Sequence, residues 1–312
     1  MRALNIAGSA KLPRLATLLV AVAGLGLAGC DDHAGDPKMQ IGANPVLPPL
    51  QQYLMPPMRI AKAVGWGKDE TPTVPQGLQV KALATGFAHP RSLYVLPNGD
   101  VLVVESNGPK APIDRPKDII TGWVQWFAGA KAKDANRITL LRDTNGDGIP
   151  ELRTTFLDHL NSPFGVALVG HDFYVANTDA IVRYPYQDGQ TSITAEGTKL
   201  TDLPGGPIDH HWTKALLASP DGSKLYVGVG SNSNIAENGI GAEYERAAIW
   251  EVDRATGAHR IFASGVRNPT GLAWEPESGT LWAIANERAA AVVCRKVCAR
   301  VHGDAQWRDM GA

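Results

Sequence analysis

Residues 209–234 read DHHWTKALLASPDGSKLYVGVGSNSN, and this stretch decides the fold class. Two apolar runs, 215–218 and 225–229, flank the sequence Ser-Pro-Asp-Gly at 219–222. Pro-Asp-Gly is a turn signal, and the second run is rich in residues that favour strands. The pattern predicts a strand, a tight turn and a second strand. His211 precedes the first strand, at a rim of the sheet where a side chain can meet a ligand.

The same hairpin unit occurs four times. The units read HPRSLYVLPNGDVLVVES from His89, SPFGVALVGHDFYVANT from Ser162, HWTKALLASPDGSKLYVGVGS from His211 and NPTGLAWEPESGTLWAIAN from Asn268. Their starts lie roughly 50 to 70 residues apart, a spacing typical of propeller blades that carry long loops. Helical periodicity is scarce, whereas glycine and proline number 33 and 22. We predict an all-β protein of the β-propeller type with about four blades present.

The composition is that of an ordinary globular protein. The chain has 312 residues, 44% hydrophobic and 20% charged, with a formal net charge of −1. No basic patch gives it an electrostatic reason to bind nucleic acid, so we expect no such partner.

The N-terminal residues have the features of a targeting signal. Basic residues at positions 2, 11 and 14 precede an apolar run, 15–28, that is short for a transmembrane helix. The run ends in Leu-Ala-Gly-Cys30, which resembles the lipobox of bacterial lipoproteins. We predict a lipoprotein signal peptide at 1–29 with lipidation of Cys30; the alternative is a plain secretory signal. Either interpretation predicts a protein of the cell envelope, facing the periplasm, and the first has a lipid anchor as its only membrane contact.

The chain after the signal divides by composition. Residues 30–75 are rich in proline and lack a sustained period, which indicates an extended tether. Residues 76–288 contain the strand-turn-strand units and form the predicted partial propeller.

A loop between the first two units carries oxygen ligands on alternate residues. Asp143, Asn145 and Asp147 are followed by Gly148, as at the start of an EF-hand calcium loop. Thr154 stands where that loop would close with a glutamate, and the flanks have strand character. The alternatives of a structural Ca²⁺ site and an ion-free hairpin both stay open.

Polar residues stand at the same place in each unit. His89, Ser162, His211 and the pair Arg267-Asn268 all precede a first strand, and propeller tops converge around a central channel. A neutral imidazole there can take a hydroxyl proton, and a guanidinium can hold an anionic cofactor or a developing oxyanion. These residues are therefore candidates for one site.

Several blocks resemble the pyrroloquinoline quinone (PQQ)-dependent sugar dehydrogenases, of the soluble aldose dehydrogenase type and its L-sorbosone dehydrogenase branch. They are GFAHPRSLYVLPNGDVLVVESN, ANRITLLRDTNGDGIPE, HHWTKALLASPDGSKLYVGVGSNSN and SGVRNPTGLAWEPESGTLWAIANER, within about 77–288. The resemblance implies a six-bladed propeller that binds PQQ and Ca²⁺ across the channel. It also implies oxidation of an aldose or a sorbosone-like aldehyde, with electrons passed to a respiratory acceptor.

The resemblance assigns roles to individual residues. His211 falls on the catalytic base, and Arg267 on the residue that stabilises charge on the cofactor. Asn268 and Asn286 fall on cofactor contacts, as Arg267 does. Glu287 and Arg288 fall where backbone carbonyls bind Ca²⁺, an assignment that requires a one-residue gap.

His210 competes with His211 for the role of base. Neighbouring side chains in an extended segment point to opposite faces, so one of the two faces the pocket. The spacing to Pro220 favours His211.

The C-terminal sequence departs from the family pattern after Arg288. Residues 289–312 read AAAVVCRKVCARVHGDAQWRDMGA and lack strand alternation and turn signals. We interpret them as an aberrant tail produced by a frameshift or premature end, and the alternative is a divergent helix. Cys294 and Cys298 are too few for a zinc site. An open ring leaves strand edges unpaired, so we expect poor stability and weak activity.

Two other functions fit the sequence. A Ca²⁺-dependent hydrolase of the lactonase kind would use carboxylate or amide oxygens, for which Asn177, Asn232 and Glu287 are available. A non-catalytic propeller lipoprotein would tolerate replacement of His211. Dependence on a quinone separates the dehydrogenase from both.

Overall fold

Each of the four predicted hairpin units forms two neighbouring strands of its own antiparallel sheet. The structure is a computed structural model. It describes residues 61, 63–67, 70–110, 113, 116–129, 135–206, 209–233, 236, 238–286 and 296–301.

The first two sheets have four strands each. The strands of the first sheet are β1 (Pro90–Val95), β2 (Val101–Glu105), β3 (Arg137–Arg142) and β4 (Leu152–Leu157). Those of the second sheet are β5 (Gly165–Val169), β6 (Asp172–Ala176), β7 (Ala180–Pro185) and β8 (Thr198–Asp202).

The third sheet has four strands and the fourth sheet has three among the described residues. The strands of the third sheet are β9 (Leu216–Ala218), β10 (Lys224–Val229), β11 (Ala248–Asp253) and β12 (His259–Ser264). Those of the fourth sheet are β13 (Pro269–Trp274), β14 (Leu281–Asn286) and β15 (Lys296–Val301).

The strands of every sheet pair antiparallel in chain order, which is the up-and-down topology of a propeller blade. The first strands of successive sheets contact each other: β1 contacts β5, β5 contacts β9 and β9 contacts β13. This is the arrangement of innermost strands in a propeller. The predicted all-β propeller class, with about four blades present, is confirmed.

The Pro-Asp-Gly turn joins β9 to β10 as predicted. Gly222 has a φ of +70°, a value that glycine adopts without steric cost. The Asp221 carboxylate accepts hydrogen bonds from the Ser219 hydroxyl at 2.6 Å and from the Ser223 amide at 3.0 Å. These bonds lower the pKa of Asp221 to about 2. The turn therefore fixes the register in which Leu225 pairs with Ala218.

The hydrophobic core lies between consecutive sheets. Phe156 of the first sheet meets Phe173 of the second edge to face, with ring centroids 5.3 Å apart. Trp250 lies in the cluster shared by the second and third sheets. Tyr226 of the third sheet meets Trp274 of the fourth at 5.3 Å. Each sheet is thus held to the next by buried apolar and aromatic side chains.

The first and fourth sheets also expose apolar side chains. Leu93 and Val95 on β1 are 67% and 62% exposed, and Trp282 and Ile284 on β14 are 37% and 38% exposed. Along both strands these residues alternate with more buried ones. Within the described part of the chain, both strands therefore carry apolar side chains that are only partly covered.

β15 lies inside residues 289–312, the segment that we interpreted as an aberrant tail. It pairs with β14 along six residues, from Leu281 opposite Val301 to Asn286 opposite Lys296. The backbone of β14 offers unpaired donors and acceptors on that side, and a chain that follows directly can satisfy them. A strand is therefore present within residues 289–312, although their sequence shows no strand alternation.

One helix interrupts the first sheet and was not predicted. Helix α1 (Pro116–Phe127) lies in the connection from β2 to β3. No helix in the described part of the chain is both long enough and apolar enough to cross a bilayer.

Candidate functional site

His211 lies half-buried just before β9, and its ring is held through one nitrogen. Nδ1 lies 2.7 Å from the Ser231 hydroxyl oxygen and 3.1 Å from the Ser231 carbonyl oxygen. The single Ser231 hydroxyl proton is donated to the Ser233 carbonyl at 2.8 Å. Nδ1 must therefore carry the proton and donate it to Ser231. In the neutral ring Nε2 then holds a lone pair, the state that a general base requires.

Two effects keep the His211 imidazole neutral. Burial is the larger and the positive charge of Arg267 is the second, and together they lower the pKa of His211 below its ordinary value. Both disfavour the charged form of the ring. At neutral pH the side chain can accept a proton at Nε2.

Arg267 and Asn268 lie against His211 across Gly230. A Cβ atom at Gly230 would lie 2.4 Å from the Cβ atom of His211 and 2.9 Å from Oδ1 of Asn268, so only glycine allows this approach. The Ser231 amide donates to the Arg267 carbonyl at 2.8 Å. Residues predicted from two separate units are therefore neighbours.

Asn286 joins the same group through its backbone. Its carbonyl accepts a hydrogen bond from Nη1 of Arg267 at 3.2 Å, and its amide donates to the Asn268 carbonyl at 2.9 Å. These bonds fix Arg267 beside the end of β14. The structure thus brings His211, Arg267, Asn268 and Asn286 together.

Glu243 supports the loop that holds His211. This residue ends the 3₁₀ helix Ile240–Glu243. Its carboxylate accepts from the Asn232 amide at 2.7 Å, and from the Ser233 amide and hydroxyl at 3.2 and 3.0 Å. Glu243 therefore positions the backbone that carries Ser231. No periodic pattern in the sequence indicates this role, because the two segments are joined by an irregular loop.

A buried ionic cluster lies directly before the histidine pair. The Asp209 carboxylate contacts Nη1 of Arg246 at 2.8 Å, Nζ of Lys214 at 3.3 Å and the Thr178 hydroxyl at 3.1 Å. Lys214 also donates to the Trp212 carbonyl at 3.0 Å. Burial lowers the pKa of Lys214 to about 8. The cluster ties the 209–214 segment to the second and third sheets.

The one signal for this cluster in the sequence is a lysine placed before an apolar strand. Lys214 stands next to the run 215–218 and is fully buried. A buried lysine requires a counter-charge, and this residue could have been singled out on that ground.

Trp212 joins the rims of the first three sheets. Its ring packs on the backbone of Gly108, where an added Cβ would lie 2.7 Å from Nε1. Phe164 meets it edge to face with centroids 6.2 Å apart, and the Arg91 guanidinium lies 5.4 Å from its centroid. Trp212 therefore forms an aromatic wall beside the histidine pair.

The other predicted rim residues differ in their surroundings. His210 is exposed, and its amide donates to the Asn232 carbonyl at 3.0 Å. His89 and Ser162 both have positive φ values, +51° and +47°. Ser162 is buried, which places its hydroxyl away from solvent.

The side-chain oxygens that we considered as Ca²⁺ ligands of a hydrolase have different surroundings. The Asn232 side chain accepts a hydrogen bond from Asn238 at 2.8 Å. Asn177 is buried, and its Oδ1 has no hydrogen-bond partner among the described residues. Glu287 and Arg288, the predicted Ca²⁺ ligands, lie outside the described residues, as does Cys30.

The Asp143 loop gathers one more carboxylate than we predicted. Carboxylate oxygens of Asp143, Asp147 and Glu151 all lie within 4.8 Å of one another, and all three residues are exposed. Asn145 contacts Asp147 through its amide nitrogen at 3.4 Å. Glu151 was missed because we looked for the closing ligand at Thr154. In the structure Glu151 accepts from the Thr144 amide at 2.7 Å.

Two open cavities lie away from His211. One, of about 470 Å³, is lined by residues 135–137, 155 and 158–160 of the first sheet and its connections. The other, of about 360 Å³, is lined by polar and charged residues between the second and third sheets, among them Asp172, Arg254 and Asp253. The chemistry of the predicted site does not coincide with either cavity.

A family model described as TrAA12-like matches residues 134–304. The chain belongs to the TrAA12-like family. The match includes His211, Arg267, Asn268 and Asn286. No functionally curated protein gives a significant match.

Solved structures with a similar fold are also found. The holo form of the pyranose dehydrogenase PQQ domain from Coprinopsis cinerea is 17% identical, with a TM-score of 0.53 over 72% of this chain and 51% of that one. The calcium structure of the Trichoderma reesei family AA12 enzyme is 18% identical, with a TM-score of 0.53 over 69% and 50%. The chain therefore spans about half the length of these structures, and at such identities the likeness shows the fold.

Proposed function

We propose that this TrAA12-like protein oxidises a sugar by hydride transfer to PQQ, with His211 as the base. The observation that carries the proposal is the state of the imidazole. Nδ1 donates to Ser231, Nε2 holds the lone pair, and burial together with the charge of Arg267 lowers the pKa of the ring. The matched solved structures include a PQQ domain of a pyranose dehydrogenase, which supports the choice of cofactor.

The residues at the site suit an anionic quinone. PQQ carries three carboxylates, and when bound it supplies a two-electron acceptor for hydride. Arg267 offers a positive charge that is held by the Asn286 backbone carbonyl, and the Asn268 side chain lies beside His211 at Gly230. We propose these three residues as its binding residues. The backbone carbonyls of Glu287 and Arg288 are proposed ligands of a Ca²⁺ ion that polarises the quinone.

His211 performs the acid–base part of the reaction. Its Nε2 takes the proton from the substrate hydroxyl as the hydride leaves the same carbon, which oxidises an aldose to a lactone or an aldehyde hydrate to an acid. The hydrogen bond from Nδ1 to Ser231 then helps to hold the imidazolium in place. Arg267 disfavours that imidazolium, so the proton is readily released after each turnover.

The finer substrate assignment comes from the sequence blocks. Their likeness to the L-sorbosone dehydrogenase branch leads us to propose an aldose or a sorbosone-like aldehyde as substrate. A respiratory carrier in the cell envelope is the proposed electron acceptor. This placement agrees with the lipoprotein signal predicted at 1–29.

The proposal is tested by dye-coupled oxidation of glucose and L-sorbosone with added PQQ and Ca²⁺. We expect turnover that requires PQQ and that falls by about 10²–10⁴-fold in His211→Gln. The matched control is His210→Gln, which changes the exposed neighbour and should leave turnover nearly intact. Lactone hydrolysis without quinone, or equal activity in the two variants, would contradict the proposal.

A further inference from the structure

Helix α1 (Pro116–Phe127) exposes its apolar face to solvent. Its large exposed apolar residues are Ile119, Ile120, Trp123, Trp126 and Phe127. At about 100° per residue these five positions fall within an arc of about 120°. Trp123 and Trp126 are 60% and 66% exposed. A helix on a protein surface normally buries a stripe of this width, so this stripe lacks its usual cover among the described residues.

By helical periodicity, the sequence positions opposite the stripe are polar, among them Gln125. The sequence pattern of the helix is therefore amphipathic. Trp123 and Phe127 stack on each other, with centroids 6.0 Å apart, so part of the stripe is already ordered.

The last part of the predicted tether, residues 30–75, meets the end of this helix. The Ala63 amide donates to the Ala128 carbonyl at 3.0 Å, and a Cβ atom at Gly129 would lie 3.0 Å from the Ala63 side chain. Val64 and Trp66 follow and are 90% and 67% exposed. The exposed apolar surface therefore continues from α1 onto the chain that leads back to the predicted lipid attachment site.

We propose that α1 and residues 64–66, together named the aromatic patch, lie on an anionic lipid bilayer. Tryptophan and phenylalanine on one face of an amphipathic helix are typical of helices that lie in the membrane interface. Residues 109–134 contain five basic and three acidic side chains, whereas the whole chain has a net charge of −1. The local excess of positive charge attracts anionic headgroups.

The aromatic patch and the predicted lipid would act on different parts of the chain. A lipid on Cys30 would hold the N-terminal end of the tether, whereas the aromatic patch would bring residues 64–66 and α1 themselves into contact with the bilayer. This inference is independent of the proposed sugar oxidation.

The test uses the chain from Asp31 onward, to which no acyl group can be attached. It is sedimented with vesicles of phosphatidylethanolamine and phosphatidylglycerol. We expect vesicle binding that drops about tenfold or more in Trp123→Glu/Trp126→Glu. The control Leu78→Glu/Leu83→Glu adds the same charge at two exposed leucines outside the aromatic patch, and it should bind vesicles like the parent.

Tryptophan quenching by brominated lipids in the parent chain gives a second readout that needs no variant. Contact with acyl chains should quench part of the emission. Absence of quenching, or a parent chain that stays in the supernatant, would overturn the proposal. The proposal would also be overturned if the parent chain formed a dimer in solution, did not bind vesicles, and lost the dimer in the tryptophan variant. The aromatic patch would then be the contact between two copies of the chain.

Discussion

Replacing Asp209 with asparagine tests whether the buried ionic cluster holds the segment that carries the histidine pair. The Asp209 carboxylate is fully buried and pairs with Arg246 at 2.8 Å and Lys214 at 3.3 Å. An asparagine of the same shape leaves two cations in the interior without a counter-charge. Removing one partner of a buried ion pair costs about 3–5 kcal/mol of unfolding free energy. For a unit of this size that lowers the Tm by roughly 6–20 °C.

The assay is thermal unfolding followed by far-UV circular dichroism at pH 7. Asp202→Asn is the control, because Asp202 pairs with Lys199 at 2.7 Å on the surface and both side chains are mostly exposed. Its cost should stay within about 0.5 kcal/mol. Equal and small shifts in the two variants would refute the idea that the cluster stabilises the fold.

The same cluster predicts how stability depends on pH. The pKa of Lys214 is about 8 in the folded chain, below its ordinary value of 10.5. Between these values the unfolded state binds more protons than the folded state, so stability rises with pH. The gain approaches about 3 kcal/mol from pH 7 to pH 11. Lys214→Met should lose this rise, and chemical unfolding of both proteins at several pH values measures the difference.

Three further predictions concern the site and the acidic loop. The acidic limb of the kcat/KM profile against pH should lie below the ordinary pKa of histidine, because burial and the charge of Arg267 lower the pKa of His211. Arg267→Gln should move this limb to higher pH. A limb that does not move would show that Arg267 does not lower the pKa of His211. Glu243→Gln should lower kcat about tenfold with little change in KM, since the loop that carries Ser231 loses its carboxylate anchor. Calorimetric titration should show Ca²⁺ binding that Asp147→Asn weakens, and no heat in the parent chain would favour the ion-free hairpin.

The sequence was sufficient for the repeated architecture. Turn signals such as Pro-Asp-Gly and alternating apolar strands are local, so the four hairpins and the prediction of a propeller follow from short-range patterns. The rim position of His211, Arg267 and Asn268 also followed, because equivalent positions in repeated units meet at one end of the ring.

Contacts between distant polar residues could not be predicted in this way. Glu243 reaches the Ser231 loop across an irregular connection, and Asp209 gathers Arg246 from 37 residues away. Their partners are set by packing rather than by spacing. Helix α1 was missed because its apolar stripe is short and lies inside a loop. β15 was missed because its pairing depends on the free side of β14.

The most direct test of the central claim is the absorbance of added PQQ under anaerobic conditions, before and after a sugar is supplied. We predict that the chain binds PQQ, that sugar converts its spectrum to that of the reduced quinone, and that His211→Gln binds the quinone but leaves it oxidised. A chain that binds no PQQ, or a His211→Gln variant that reduces it at the parent rate, would contradict the proposed reaction.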